Sequence, residues 1–201
     1  MKNNNPSLPV HPTVEELEQE LKRVRTRRGA VRTLRSTVLS LALIAAVAVF
    51  AAMFLPVLRI QGESMEPTLN RGDLVITAGW SDCAPGDIVC FHSQDKVMVK
   101  RLIAEAGDVV NILEDGTVEV NGVTLAEDYV LNASRGELDI EMPFTVPEGR
   151  CFVMGDNREV SVDSRSTAMG CIPEAQLEGR AILRIWPLNR LSWLAGRGGE
   201  G

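Results

Sequence analysis

Val97-Met98-Val99-Lys100-Arg101-Leu102-Ile103 is a run of five apolar residues interrupted by two cations. Its length and β-branched content predict a strand. At period two, Met98, Lys100 and Leu102 share a face, so an amine stands among apolar neighbours. An ammonium is costly there. Its pKa, about 10.4 in water, falls, and a neutral amine becomes available near neutral pH. The plainer alternative is that Lys100 snorkels to solvent and Arg101 does the same on the other face.

Similar short runs lie on either side: Leu74–Thr77, Ile88–His92, Val109–Leu113, Thr117–Val120, Phe144–Val146, Cys151–Met154 and Ala181–Ile185. Pro85-Gly86, Asp115-Gly116 and Asn121-Gly122 punctuate them as turns. Many short strands without a long amphipathic helix predict a mainly β fold. The expected architecture is a curled, barrel-like antiparallel sheet spanning residues 59–195, with a hairpin-rich insertion at about 105–148. Residues 196–201 read as a flexible tail.

Upstream, residues 38–58 carry no charge. About 20 apolar residues at about 1.5 Å rise match a hydrocarbon core of about 30 Å, so residues 37–58 read as one transmembrane helix. Lys22, Arg23, Arg25, Arg27, Arg28, Arg32 and Arg35 precede it. This flank places residues 1–36 in the cytoplasm and the β domain outside it. A cleaved signal peptide is the competing reading, but its apolar region is usually about 7–15 residues. Thr13 and Glu16 form a capping-box pattern that starts a short helix before the span. The net charge of -6 argues against a nucleic-acid partner. Cys83, Cys90, Cys151 and Cys171 match no zinc spacing. They read equally as small core residues or as one or two disulfides.

Gly62-Glu63-Ser64-Met65-Glu66-Pro67-Thr68-Leu69 begins a few residues beyond the apolar run. A serine and a lysine can form a hydrolytic pair without histidine. Histidine is scarce: His11 lies in the cytoplasmic segment, and His92 ends a strand and reads as a surface residue. Glu66 replaces the second glycine of a G-x-S-x-G elbow, and H-E-x-x-H is absent. No metal or other cofactor is implied. The block Gly155-Asp156-Asn157-Arg158-Glu159-Val160-Ser161-Val162-Asp163-Ser164-Arg165 suits a rigid loop braced by charge-assisted hydrogen bonds.

Four boxes in order resemble the type I signal peptidases, Ser/Lys serine proteases of the bacterial cytoplasmic membrane. They are Gly62-x-Ser64-Met65-x-Pro67-Thr68-Leu69, then Arg71-Gly72-Asp73, then Lys100-Arg101 with Gly107-Asp108, then residues 155–165 with Gly170. The resemblance implies Ser64 as nucleophile, Lys100 as general base and Ser161 as the residue orienting the amine. It implies that Asp163 holds Arg165, and that Asp156 with Arg158 braces the same loop. The Ser64 N–H would donate to the oxyanion; Gly62 stands where some members have a serine that supplies the second donor. Leu58, Ile60, Met65, Leu69, Val75 and Val99 would line shallow pockets for small side chains. The implied partners are signal-peptide-bearing preproteins, the lipid bilayer and the secretion translocon. Two rivals are a self-cleaving Ser/Lys regulator, which the span disfavours, and a non-catalytic export scaffold, which the intact Ser64 and Lys100 disfavour.

Overall fold

The computed structural model describes residues 32–47, 56–79, 83–93 and 96–194, with isolated positions 15, 18, 22 and 49. The chain divides into two units, Met1–Phe54 and Leu55–Gly201. In the first, residues 32–47 are helical, and their apolar side chains, Leu39 and Ile44 among them, are exposed. Among the described residues no helix is long and apolar enough to cross a membrane. Residues 48 and 50–55 of the expected span lie outside the described residues. Its last two residues are reassigned: Val57 and Leu58 open strand β1 (Val57–Arg59), not the end of a helix. Pro56 cannot continue a helical ladder, and its carbonyl accepts the Thr77 N–H instead.

The second unit is built from antiparallel strands. After β1 come β2 (Leu74–Ala78), β3 (Ile88–Ser93), β4 (Lys96–Ala104), β5 (Val109–Ile112) and β6 (Val118–Val120). They are followed by β7 (Val123–Thr124), β8 (Phe144–Thr145), β9 (Arg150–Met154), β10 (Ile172–Pro173), β11 (Leu177–Trp186) and β12 (Ser192–Trp193). The large sheet runs β1-β2-β11-β3-β4-β9-β10, with β12 also on β11. Register shifts interrupt β11 against β2 and β3, and β4 against β9. Such bulges bend and twist a sheet. The path ends in two edges, β1 and β10, so the pairing is that of an open sheet.

Both faces of this sheet are covered, which explains why β3 reads as a continuous apolar run, not an alternating one. Ile88 joins Ile60, Met65, Leu69, Val75 and Ala181 on one side. Its neighbours Val89 and Phe91 join Leu102, Cys151, Val153 and Ile172 on the other. The hairpin-rich section forms a second sheet, β7-β6-β5-β8. Asn121 and Gly122, both at positive φ, make its β6–β7 turn. Val110, Ile112 and Val118 of that sheet share a core with Phe152 and Met154 of β9. Cys151 and Cys171 are buried in these cores, Cys90 is buried, Cys83 is half-buried, and none of the four is in a disulfide. Burial pushes the Cys90 and Cys151 thiols up to about 12.

Candidate active site

Ser64 lies in the turn between β1 and β2. Leu69 N–H donates to Met65 O at 2.8 Å and Glu66 N–H to Glu63 O at 3.1 Å, which closes the turn on itself. Its far end is anchored by Arg184 on β11, which donates to Thr68 O at 2.8 Å and pairs with Asp73 at 3.3 Å. Its near end is anchored by Asn157, whose N–H donates to Ser64 O at 3.0 Å. The backbone of Ser64 is therefore fixed from both sides while its side chain stays half-buried. Among the described residues no backbone carbonyl accepts the Ser64 N–H.

Lys100 is 1% exposed and donates to Ser161 Oγ at 2.7 Å. Burial, which removes water from the ammonium, pulls its pKa from 10.5 down to about 8. Asp163 opposes that shift, Arg165 adds to it, and Asp156 opposes it again. A pKa of about 8 leaves about one amine in ten neutral at pH 7 and about half at pH 8. Lys100 therefore does not snorkel, and neither does Arg101, which is 6% exposed.

Gly155 joins the two halves. A Cβ there would overlap Ser161 Oγ and sit 2.5 Å from Ser64 O. Only a glycine lets the Ser161 hydroxyl and the Ser64 backbone close on the same point. Asp163 accepts the Gly155 N–H at 2.9 Å and both Arg165 Nε and Nη2, at 2.8 and 2.9 Å. Burial alone would raise the Asp163 pKa, but the Arg165 hydrogen bonds and charge, with Gly155 and Ser161, lower it below the usual carboxylate value. Arg165 Nη2 also donates to Arg158 O at 3.0 Å and Ser161 O at 3.3 Å. The 155–165 loop is thus a closed set of buried charges around Gly155 and Ser161.

Asp156 and Arg158 do not pair with each other. Asp156 takes a bidentate pair from Arg101, at 2.9 Å from Nε and 2.6 Å from Nη2. Arg158 donates to Gly155 O at 3.0 Å and to Glu127 at 2.5 Å. Adjacent loop positions two apart reach different partners because one faces β4 and the other the segment between β7 and β8. Sequence reasoning quoted Arg101 beside Lys100 but gave it no role, and it did not find Glu127 or Tyr129. Arg101 stood out as a second cation in an apolar strand, whereas nothing local marks Glu127.

A cleft of about 650 Å³ carries Ser64 on its wall, with Leu58, Ile60, Met65 and Val99 among the apolar lining and Arg59 and Lys96 among the polar. Leu69 and Val75 do not line it. Both are 0% exposed and pack beneath it in the core with Ile60 and Met65. His92 is exposed and pairs with Glu178 of β11 at 2.5 Å. Among the described residues no cluster of three or more potential ligands could hold a metal.

The site thus holds a hydroxyl on a cleft wall, and a buried amine hydrogen-bonded to Ser161, which meets the Ser64 backbone at Gly155. The family profile described as signal peptidase, peptidase S26, matches residues 31–186, and the chain belongs to that family. Thylakoidal processing peptidase 1 of Arabidopsis thaliana chloroplasts is 35% identical over 150 residues, 66% of this chain and 42% of that protein. Signal peptidase I of Bacillus licheniformis is 34% identical over 165 residues, 75% of this chain and 87% of that protein. The chain thus spans less than half of the thylakoidal relative. The crystal structure of a signal peptidase I from Enterococcus faecalis V583 aligns with a TM-score of 0.43 and 34% identity, over 50% of this chain and 97% of that one.

Proposed function

We propose that this chain is a membrane-bound serine endopeptidase that removes N-terminal signal peptides from exported preproteins. The observation that carries the reading is the buried Lys100 amine, held by Ser161 with its pKa drawn down to about 8, beside the Gly155 contact that reaches Ser64. In this mechanism neutral Lys100 accepts the Ser64 Oγ proton as Oγ attacks the scissile carbonyl. The resulting ammonium then returns a proton to the leaving amine. Ser161 Oγ occupies one N–H of the amine, which turns the lone pair away from Ser161. The Ser64 N–H donates to the developing oxyanion. Gly62 leaves open space near that N–H, whose nitrogen would lie 4.0 Å from an added Cβ.

The substrate binds as an extended strand along the cleft, so that main-chain pairing supplies affinity and alternate pockets supply selectivity. Leu58, Ile60, Met65 and Val99 favour a small residue such as alanine before the scissile bond. The exposed apolar side chains of the first unit's helix, Leu39 and Ile44 among them, suit a lipid environment, with the basic segment in the cytoplasm and the β unit outside it. Signal peptides dwell in the bilayer, and Ser64 follows the apolar run closely in the sequence, which suits a scissile bond just beyond a signal peptide's apolar segment. The secretion translocon is a natural neighbour, and no nucleic acid is involved.

The test is cleavage of a preprotein series by the detergent-solubilised chain. Wild type should cut after alanine well ahead of leucine, while Ser64→Ala and Lys100→Ala are each inert and the double variant is no worse. Residual cleavage by Lys100→Ala, or equal cutting after leucine and alanine, would sink the reading.

A further inference from the structure

Glu127 and Tyr129 have no part in the chemistry above, yet they close a buried ionic cluster against Gly155. Both come from the stretch between β7 and β8 that has no regular secondary structure. Glu127 Oε1 accepts from Arg158 Nη2 at 2.5 Å and from Tyr129 Oη at 2.9 Å. The Tyr129 ring lies 3.8 Å from the Arg101 guanidinium, in cation–π contact. Arg158 is 1% exposed, and its Nη1 has no partner among the described residues. Glu127 is therefore the carboxylate that neutralises it. A buried cation stripped of its counter-charge does not stay in place.

We propose that Glu127 and Tyr129 form a strap that positions the Lys100–Ser161 pair. It works along two lines. Through Arg158, the strap holds the Gly155 carbonyl, at 3.0 Å from Arg158 Nε. Arg158 O in turn receives Arg165, which reaches Ser161 O. Through Arg101, the strap holds the residue next to Lys100 on β4, already clamped to Asp156 and to Gly86 O at 2.8 Å. The charged groups acting on the Lys100 amine are Asp163, Arg165 and Asp156, all from the 155–165 loop. On β3 the residue opposite Lys100 is the uncharged Val89, and on β9 Val153 and Met154 stand opposite its neighbours Leu102 and Arg101. Glu127 does not touch Lys100; it acts by keeping that loop closed and the amine dry. These are positioning residues, and the proposal rests on the Ser64–Lys100 reading.

The experiment compares pH profiles of kcat for wild type, Glu127→Gln and Tyr129→Phe, using the full chain in detergent and one preprotein. Glu127→Gln keeps size and an acceptor but loses the charge; Tyr129→Phe keeps the ring beneath Arg101. A loosened strap admits water to the amine, so its pKa climbs back toward 10.5. The rising limb should move up by about 0.5–1 pH unit in Glu127→Gln and less, in the same direction, in Tyr129→Phe. At pH 7 kcat should fall about three- to tenfold in Glu127→Gln, with KM within about twofold. A merely structural role would lower the yield of active enzyme at every pH and leave the limb in place, and that result in whichever variants fold overturns the strap. Ser64→Ala and Lys100→Ala run alongside. If Lys100→Ala still cleaves, the dyad reading has failed. If it is inert and the limbs are unmoved, the strap alone has failed.

Discussion

Adding one methyl group at Gly155 is the sharpest test of how this site is assembled. The new Cβ would overlap Ser161 Oγ and approach Ser64 O to 2.5 Å. An ordinary carbon contact is about 3.5–4.0 Å, so the two segments must part by about 1 Å or more. Neither can yield cheaply, since Ser64 O is hydrogen-bonded by Asn157 and the Gly155 N–H by Asp163. Overpacking of this kind costs about 1–3 kcal/mol. In a folded unit of this size that lowers Tm by about 3–12 °C. The rate should suffer more, because a misplacement of about 1 Å costs about 100-fold. Calorimetry of Gly155→Ala and its kcat on a preprotein give both numbers. Gly62→Ala is the matched control: its Cβ meets only Ser64 N, at 4.0 Å, so Tm should not move. Wild-type kcat in Gly155→Ala would refute the argument that Ser64 and Ser161 converge on this glycine.

Cleavage should rise with pH through about 8, because the base must be neutral and burial sets its pKa there. The same depression makes Lys100 a stability cost. Its folded pKa lies below the usual 10.5, so the unfolded chain binds more protons and stability rises as pH climbs from about 8 to 10.5. Lys100→Met should therefore be inert yet more stable at pH 7, by up to about 3 kcal/mol, as denaturant titration would register. Asp163→Asn leaves Arg165 uncompensated where both side chains are 0% exposed; it should lose about 3–5 kcal/mol in the same assay, together with activity. His92→Ala should keep full activity across the pH range, since His92 is spent on an exposed contact with Glu178.

The strands of five or more residues were legible because their β-branched content and flanking turns are local signals. β10 and β12, two residues each, carry no such signal. Val57 and Leu58 misled because an apolar run reads alike in helix and strand; only their pairing with Ile76 and Val75 decides. Leu69 and Val75 misled for a related reason, since hydrophobicity does not say whether a side chain faces a cleft or the core beneath it. Within the site, Lys100 and the 155–165 block stood out as an amine in an apolar strand and a run of alternating charge, while Ser64 was marked by its position after the apolar run and the resemblance of its box. The actual pairing of those charges was not legible. Arg101 meets Asp156 across 55 positions, and Arg158 meets Glu127 across 31. Spacing along a loop carries no information about such partners.

The Asn157–Ser64 hydrogen bond joins the turn after β1 to the loop after β9, and that sets when the site can come into being. A growing chain that has emerged only as far as residue 150 already contains the serine and the lysine. It lacks Gly155, Asn157, Ser161 and Asp163, so nothing holds the serine backbone or shields the amine. If Ser64 and Lys100 act as proposed, the pair is inert until the loop after β9 is in place. On the proposed reading, an unfinished copy cannot cleave the chains around it before its own fold is complete.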